Sequence, residues 1–172
     1  MHREMVLSRT YRQSAHHPDS VRKDPDNLWL GRFRVRRLDA EALRDSFLSV
    51  AGLLQSEAFG PPVGVARSRE GRVLAGVEVL NANGDVTKVD TSAPAVHRRS
   101  IYLQMRRKLP ATVLDSFDLP VMDPNCEARA SSTVAPQALF LMNDEFILRV
   151  ARALAERLRR EHSGDMRAQV HK

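Results

Sequence analysis

Between Asp39 and Gln55 apolar residues recur three and four apart, with Leu43, Phe47, Val50, Ala51 and Leu54 on one face. That period predicts an amphipathic helix, here over 39–56. Asp39 is a good N-cap, and Glu41 lies in the first turn, where the helix dipole favours an acid. Glu41, Arg44 and Asp45 fall off the stripe and are expected on its exposed face. Gly60-Pro61-Pro62 stops any continuation. A second stripe is Ile147, Val150, Ala151, Leu154 and Leu158. With Pro136 suited to a first helical position, helical structure is expected over 136–161. It divides into a short helix to Met142 and a longer one capped by Asn143. Arg157, Arg159 and Arg160 end the longer helix, where the dipole favours cations.

Between these helices the pattern is that of strands. Val73, Val77, Val79 and Leu80 are followed by the turn sequence Asn81-Ala82-Asn83-Gly84-Asp85 and a return over Val86 to Val89. This predicts a β-hairpin near 70–90. Ser100-Ile101-Tyr102-Leu103 reads as a short strand near 100–104. His2 to Ser8 reads as the end of a helix begun upstream. Ser14 to Pro25, including His16-His17, reads as a polar, solvated loop. Pro110 to Pro136 has no sustained period and reads as a long irregular loop, of the kind that is functional or pinned by specific contacts. The expected fold is a helix-rich α+β single domain over 1–172, with a polar N-terminal segment to 35, a core over 36–162 and a frayed tail over 163–172.

Composition narrows the function classes. An apolar fraction of 42% and a charged fraction of 28% are ordinary for a globular protein with a real core. No apolar run approaches the roughly 20 residues that span a bilayer, and the charged opening MHREMVLSRTYRQS does not read as a signal peptide. The single Cys126 excludes an intrachain disulfide, a multi-cysteine zinc site and a c-type haem attachment on this chain. No histidine sits in a metal-ligand spacing, so no metal site and no cofactor are expected. The net charge of +6 admits phosphate backbones, anionic lipid or acidic glycans as ligands. Interleaved acids and few aromatics argue against nucleic acid, leaving a basic nucleic-acid-binding domain as the weakest reading.

Candidate chemistry concentrates between Arg98 and Asp144. A hydrolase-type enzyme domain would place its site between the Arg98 block and the Ser131–Gln137 block. Against it, Cys126 has no base fixed by spacing, and Ser131, Ser132 and Thr133 stand outside a Gly-x-Ser-x-Gly elbow. Asp115, Asp118 and Asp123 supply carboxylates without a fixed separation. The other reading makes the stretch a polar joint. A proline-containing loop must satisfy its backbone groups, and arginine offers five donors in a fixed fork. Arg98, Arg99 and Arg129 are then expected on carbonyls or on a carboxylate such as Asp118, with Tyr102 and Gln137 in support.

Four ordered blocks carry a resemblance: TYRQS at Thr10 to Ser14, RRLDAEALRD at Arg36 to Asp45, RRSIYL at Arg98 to Leu103 and STVAPQALFLMN at Ser132 to Asn143. Together they resemble the C-terminal planctomycete-specific domain of unknown function found in cytochrome-c-linked planctomycete proteins. The resemblance implies an N-terminally truncated member whose partners are the preceding domains of the same polypeptide. Haem would sit only on a preceding module with a Cys-x-x-Cys-His motif, and the full-length protein would be periplasmic or otherwise extracytoplasmic. The leading expectation is a non-catalytic scaffolding or binding role, and the arginines point to an anionic glycan as ligand. Tyr11, Arg12, Gln13, Arg37, Arg44, Asp45, Arg98, Arg99, Tyr102, Arg129, Gln137 and Asn143 are its candidate shared polar site.

Overall fold

A computed structural model describes residues 1–120, 132–164, 166 and 169. The chain divides into two compact units, Met1–Arg37 and Leu38–Lys172. The first holds α1 (His2–Leu7) and α2 (Pro18–Lys23). The stretch expected as a polar loop therefore contains a helical turn. Pro18 pre-sets φ at its start, and the His17 Nδ1 accepts the Ser20 amide at 3.1 Å as the N-cap.

The second unit is the mixed α+β body expected from the sequence. Its helices are α3 (Ala40–Val50), α4 (Thr112–Asp115), α5 (Ala135–Asn143) and α6 (Glu145–Glu161). Its strands form two separate antiparallel hairpins, β1 (Val65–Arg67) with β2 (Val73–Ala75) and β3 (Val77–Leu80) with β4 (Val86–Asp90). The β3–β4 hairpin lies where Asn-Gly predicted it. The Asn81 Oδ1 accepts the amides of Asn83 and Asp85, each at 2.9 Å, and Gly84 takes φ +85°. The Val73 run instead starts the second arm of the other hairpin. Gly76, at φ +153°, turns the chain from one hairpin into the next.

α3 is shorter than the 39–56 expected, because Gly52 at φ +72° ends it. Its buried residues are Ala40, Arg44 and Leu48, so the inward face includes Arg44 and Leu48 while Val50 turns outward. The strand expected at 100–104 is corrected: Ser100–Tyr102 is a 3-10 turn, and only Leu103 bridges, in parallel, to Val63. Pro136 takes the second rather than the first position of α5, and the N-cap of α6 is Asp144, not Asn143. The Asp144 Oδ1 accepts the Phe146 amide at 2.8 Å.

Two apolar clusters make the core of this unit. One gathers Val63, Val65, Val73, Val96, Leu103, Leu114 and Phe117 around Ala40. Phe117 meets Phe140 edge to face at 5.8 Å. The other packs Leu48 and Ala51 of the α3 end against Val150 of α6. α3 thus contributes to both clusters, and Arg44 stands on it between Ala40 and Leu48.

Candidate functional site

α3 delivers two charged side chains to the strap that runs from Val96 to Tyr102. Short 3-10 turns leave carbonyls without intrahelical donors. The Arg44 guanidinium, 2% exposed, supplies those donors: it bonds to the Val96 carbonyl at 2.6 Å, the Arg98 carbonyl at 3.0 Å and the Ser100 Oγ at 3.2 Å. Asp45, 16% exposed, accepts the Ser100 amide and the Ser100 Oγ, both at 2.7 Å, and Arg99 Nε at 3.4 Å. The expectation that Arg44 and Asp45 belong to an exposed face is therefore overturned. The reason is local: position 44 points at a strap whose backbone needs donors. Burial lowers the Arg44 pKa to about 10, with Asp45 opposing that shift, so Arg44 remains charged at neutral pH.

A second clamp lies beside the first. Arg98, buried, donates Nη1 to the Pro61 carbonyl at 2.9 Å and Nη2 to the Phe59 carbonyl. Its guanidinium carbon lies 4.0 Å from the centroid of the Tyr102 ring. The Tyr102 hydroxyl in turn accepts the Phe59 amide at 2.9 Å. Phe59 itself sits at φ +66°, a left-handed conformation that these contacts hold. Arg44, Asp45, Arg98, Arg99 and Tyr102 thus converge on one joint with Ser100 at its hub.

The other candidates go elsewhere. The Gln137 Oε1 accepts the Val134 amide at 3.4 Å at the start of α5, and its Nε2 donates to Ser132 Oγ at 3.3 Å. Ser132 donates both its amide and its hydroxyl to Asp118, at 2.7 and 2.8 Å. Asn143 is exposed and donates to the Leu139 carbonyl at 2.9 Å. Within the first unit, Gln13 donates to the Leu30 carbonyl at 3.2 Å and Tyr11 meets Phe33 edge to face. Arg12 is exposed, and Arg37, half-buried, ends that unit. Arg129, Cys126, Asp123 and Ser131 lie outside the described residues.

A narrow cleft of about 30 Å³ opens beside the joint, walled by Val96, Phe140 and Phe146 and reaching Arg44 and Arg149. Asp144 pairs with Arg72 at 3.1 Å, and Arg149 donates to Thr91. Burial holds the His97 pKa below its usual range, and the charges of Arg149 and Arg44 push it the same way. A wider, open groove is lined by Glu41, Asp45, Arg99, Ile101 and Met105. Among the described residues neither is lined by a histidine that could activate a nucleophile, and Ser100 Oγ is bonded to Asp45. Among the described residues no group of three or more His, Cys, Asp or Glu converges as metal ligands.

Sequence reasoning missed Ser100 as the hub, Arg149 at the cleft, Arg72 as the partner of Asp144, and Asp144 as a cap. The Asp-x-Phe spacing of Asp144 and Phe146 was a readable capping signal. Nothing local marks Arg149, which looks like any surface cation on a helix. No curated protein and no solved structure matches the chain. The family model PSD1, described as a protein of unknown function (DUF1553), matches residues 1–172, and the chain belongs to that family.

Proposed function

We propose that the chain is a non-catalytic scaffolding or binding module. The observation that carries this reading is where its arginines point. Arg44 and Arg98, the two most buried cations of the joint, spend their donors on the backbone of residues 59–61 and 96–98 and on Ser100, not on an open site. An enzyme's cations and acids converge instead on a place where a reacting atom can sit. On this reading the joint fixes the scaffold, and ligands meet its outer surface. The resemblance to cytochrome-linked planctomycete proteins supports an extracytoplasmic setting, with haem carried by another module of the same polypeptide. The excess of arginine supports an acidic glycan as ligand.

The test is retention of the purified chain on immobilised sulfated and uronic-acid polysaccharides at low salt. Retention that is released by salt, and that survives the joint variant Asp45→Asn in its folded fraction, is the expected result. No retention on any of them removes the glycan. Hydrolysis of a polysaccharide by the chain, abolished by Asp45→Asn without loss of folding, removes the non-catalytic reading.

A further inference from the structure

The first unit presents its largest apolar side chains to solvent on a braced loop. Leu28, Trp29 and Leu30 are 77%, 80% and 72% exposed. Exposure of this kind usually marks a mobile tip, yet the loop beneath is tied at every turn. The buried Asp24 carboxylate accepts the Leu28 amide at 2.9 Å and the Trp29 amide at 2.8 Å. The Trp29 amide is the foremost cause that holds the Asp24 pKa below its ordinary value. Arg32 donates to the Asp24 carbonyl at 2.8 Å, and Asn27 donates to the Arg32 carbonyl at 2.8 Å. Asn27 and Leu30 both sit at positive φ, +53° and +54°. The backbone is thus spent on holding exposed apolar side chains in place.

Charge says what these side chains meet. Residues 1–37 carry nine cations against four acids, which is +5 of the chain's +6. From Asn27 to Leu38 there are four arginines and no acid, and Arg34 and Arg36 are exposed. A second copy of this unit would be repelled. Single-stranded nucleic acid would use Trp29 as a stacking face but leave Leu28 and Leu30, equally exposed, without a role. An exposed tryptophan between two exposed leucines, followed along the chain by the exposed Arg34 and Arg36, suits a soft interface with an apolar interior and an anionic surface.

We propose that Leu28, Trp29 and Leu30 with Arg34 and Arg36 form a peripheral docking surface for an anionic lipid bilayer. The apolar side chains enter the headgroup region and the arginines meet lipid phosphates. Among the described residues no helix is long and apolar enough to cross a membrane, so the contact is peripheral.

Trp29 is the only tryptophan, so its fluorescence reports on this loop alone. The experiment mixes the full chain with vesicles of phosphatidylcholine, or of equal parts phosphatidylcholine and phosphatidylglycerol, and reads co-sedimentation and Trp29 emission. Binding to the anionic vesicles only, with emission shifted to shorter wavelength and weakened by salt, is expected. The double variant L28D/L30D, whose side chains take no part in the brace, should bind at least about tenfold more weakly with unchanged circular dichroism. R34E/R36E should lose as much. Absence of binding to anionic vesicles overturns the proposal. So does binding without a Trp29 shift, or a shift produced by polyuridylate and not by vesicles.

Discussion

Arg44 satisfies two backbone carbonyls and a serine from a single buried position. Removing it leaves the Val96 and Arg98 carbonyls without that donor. Arg44→Met should therefore lower stability by about 3 kcal/mol or more, read as a shift in the denaturant midpoint. Arg44→Lys should recover little, since a single ammonium does not reproduce the fork. Asp24 offers a pH-dependent counterpart. Its folded pKa lies below the ordinary 3.8, so its contribution is complete above that value and is lost as pH falls below it. Amide exchange at Leu28 and Trp29 should accelerate relative to the α6 amides as pH drops through that window. If Asp24→Asn leaves both amides as protected as before, the carboxylate is not what braces the loop. At this scale the sequence was partly legible. The Arg98 block declared itself by its density. Arg44 did not, because its stripe position reads as solvent-facing until the strap it feeds is in place.

At the scale of elements, the periodic segments were the readable ones. The β3–β4 hairpin followed from Asn-Gly, and α6 followed from a stripe of which Val150 and Leu154 pack against the α3 end. What the period could not give was the state of Ser100–Tyr102, because it is decided by contacts distant in sequence. Arg157, expected as a dipole-complementing cation, donates instead to the Val50 carbonyl at 2.9 Å and so closes the last turn of α3. Gly76 is the element-level hinge. It sits at φ +153°, and a Cβ there would collide with the Asp90 carbonyl oxygen. Gly76→Ala should cost at least about 2 kcal/mol through strain and displacement of the β3–β4 hairpin. Gly71→Ala should cost less than that, because its positive φ is strained but a Cβ meets nothing within 4 Å. Equal losses at both positions in thermal unfolding would refute the steric argument.

For the second unit as a whole, two apolar clusters share one helix. Leu48, 0% exposed, belongs to one and Leu114 to the other. Each Leu→Ala change should cost about 2–5 kcal/mol, and the two costs should add within about 0.5 kcal/mol in one cooperative transition. Two resolved transitions would mean that α3 does not couple the clusters. The cluster of Leu48, Ala51 and Val150 was foreshadowed by the two helical stripes, but the larger one was not, since Leu114 and Phe117 fall in a stretch read as an irregular loop. The Arg44 clamp also bears on the order of events in folding. Its partners lie 52 to 56 residues away along the chain. Closing so long an excursion is entropically expensive and rewards the chain only after both hairpins have returned it to α3. The clamp therefore behaves as a late latch. Weakening it should hasten unfolding and leave the refolding rate nearly unchanged, so the chain would still find its fold but would not hold it for long.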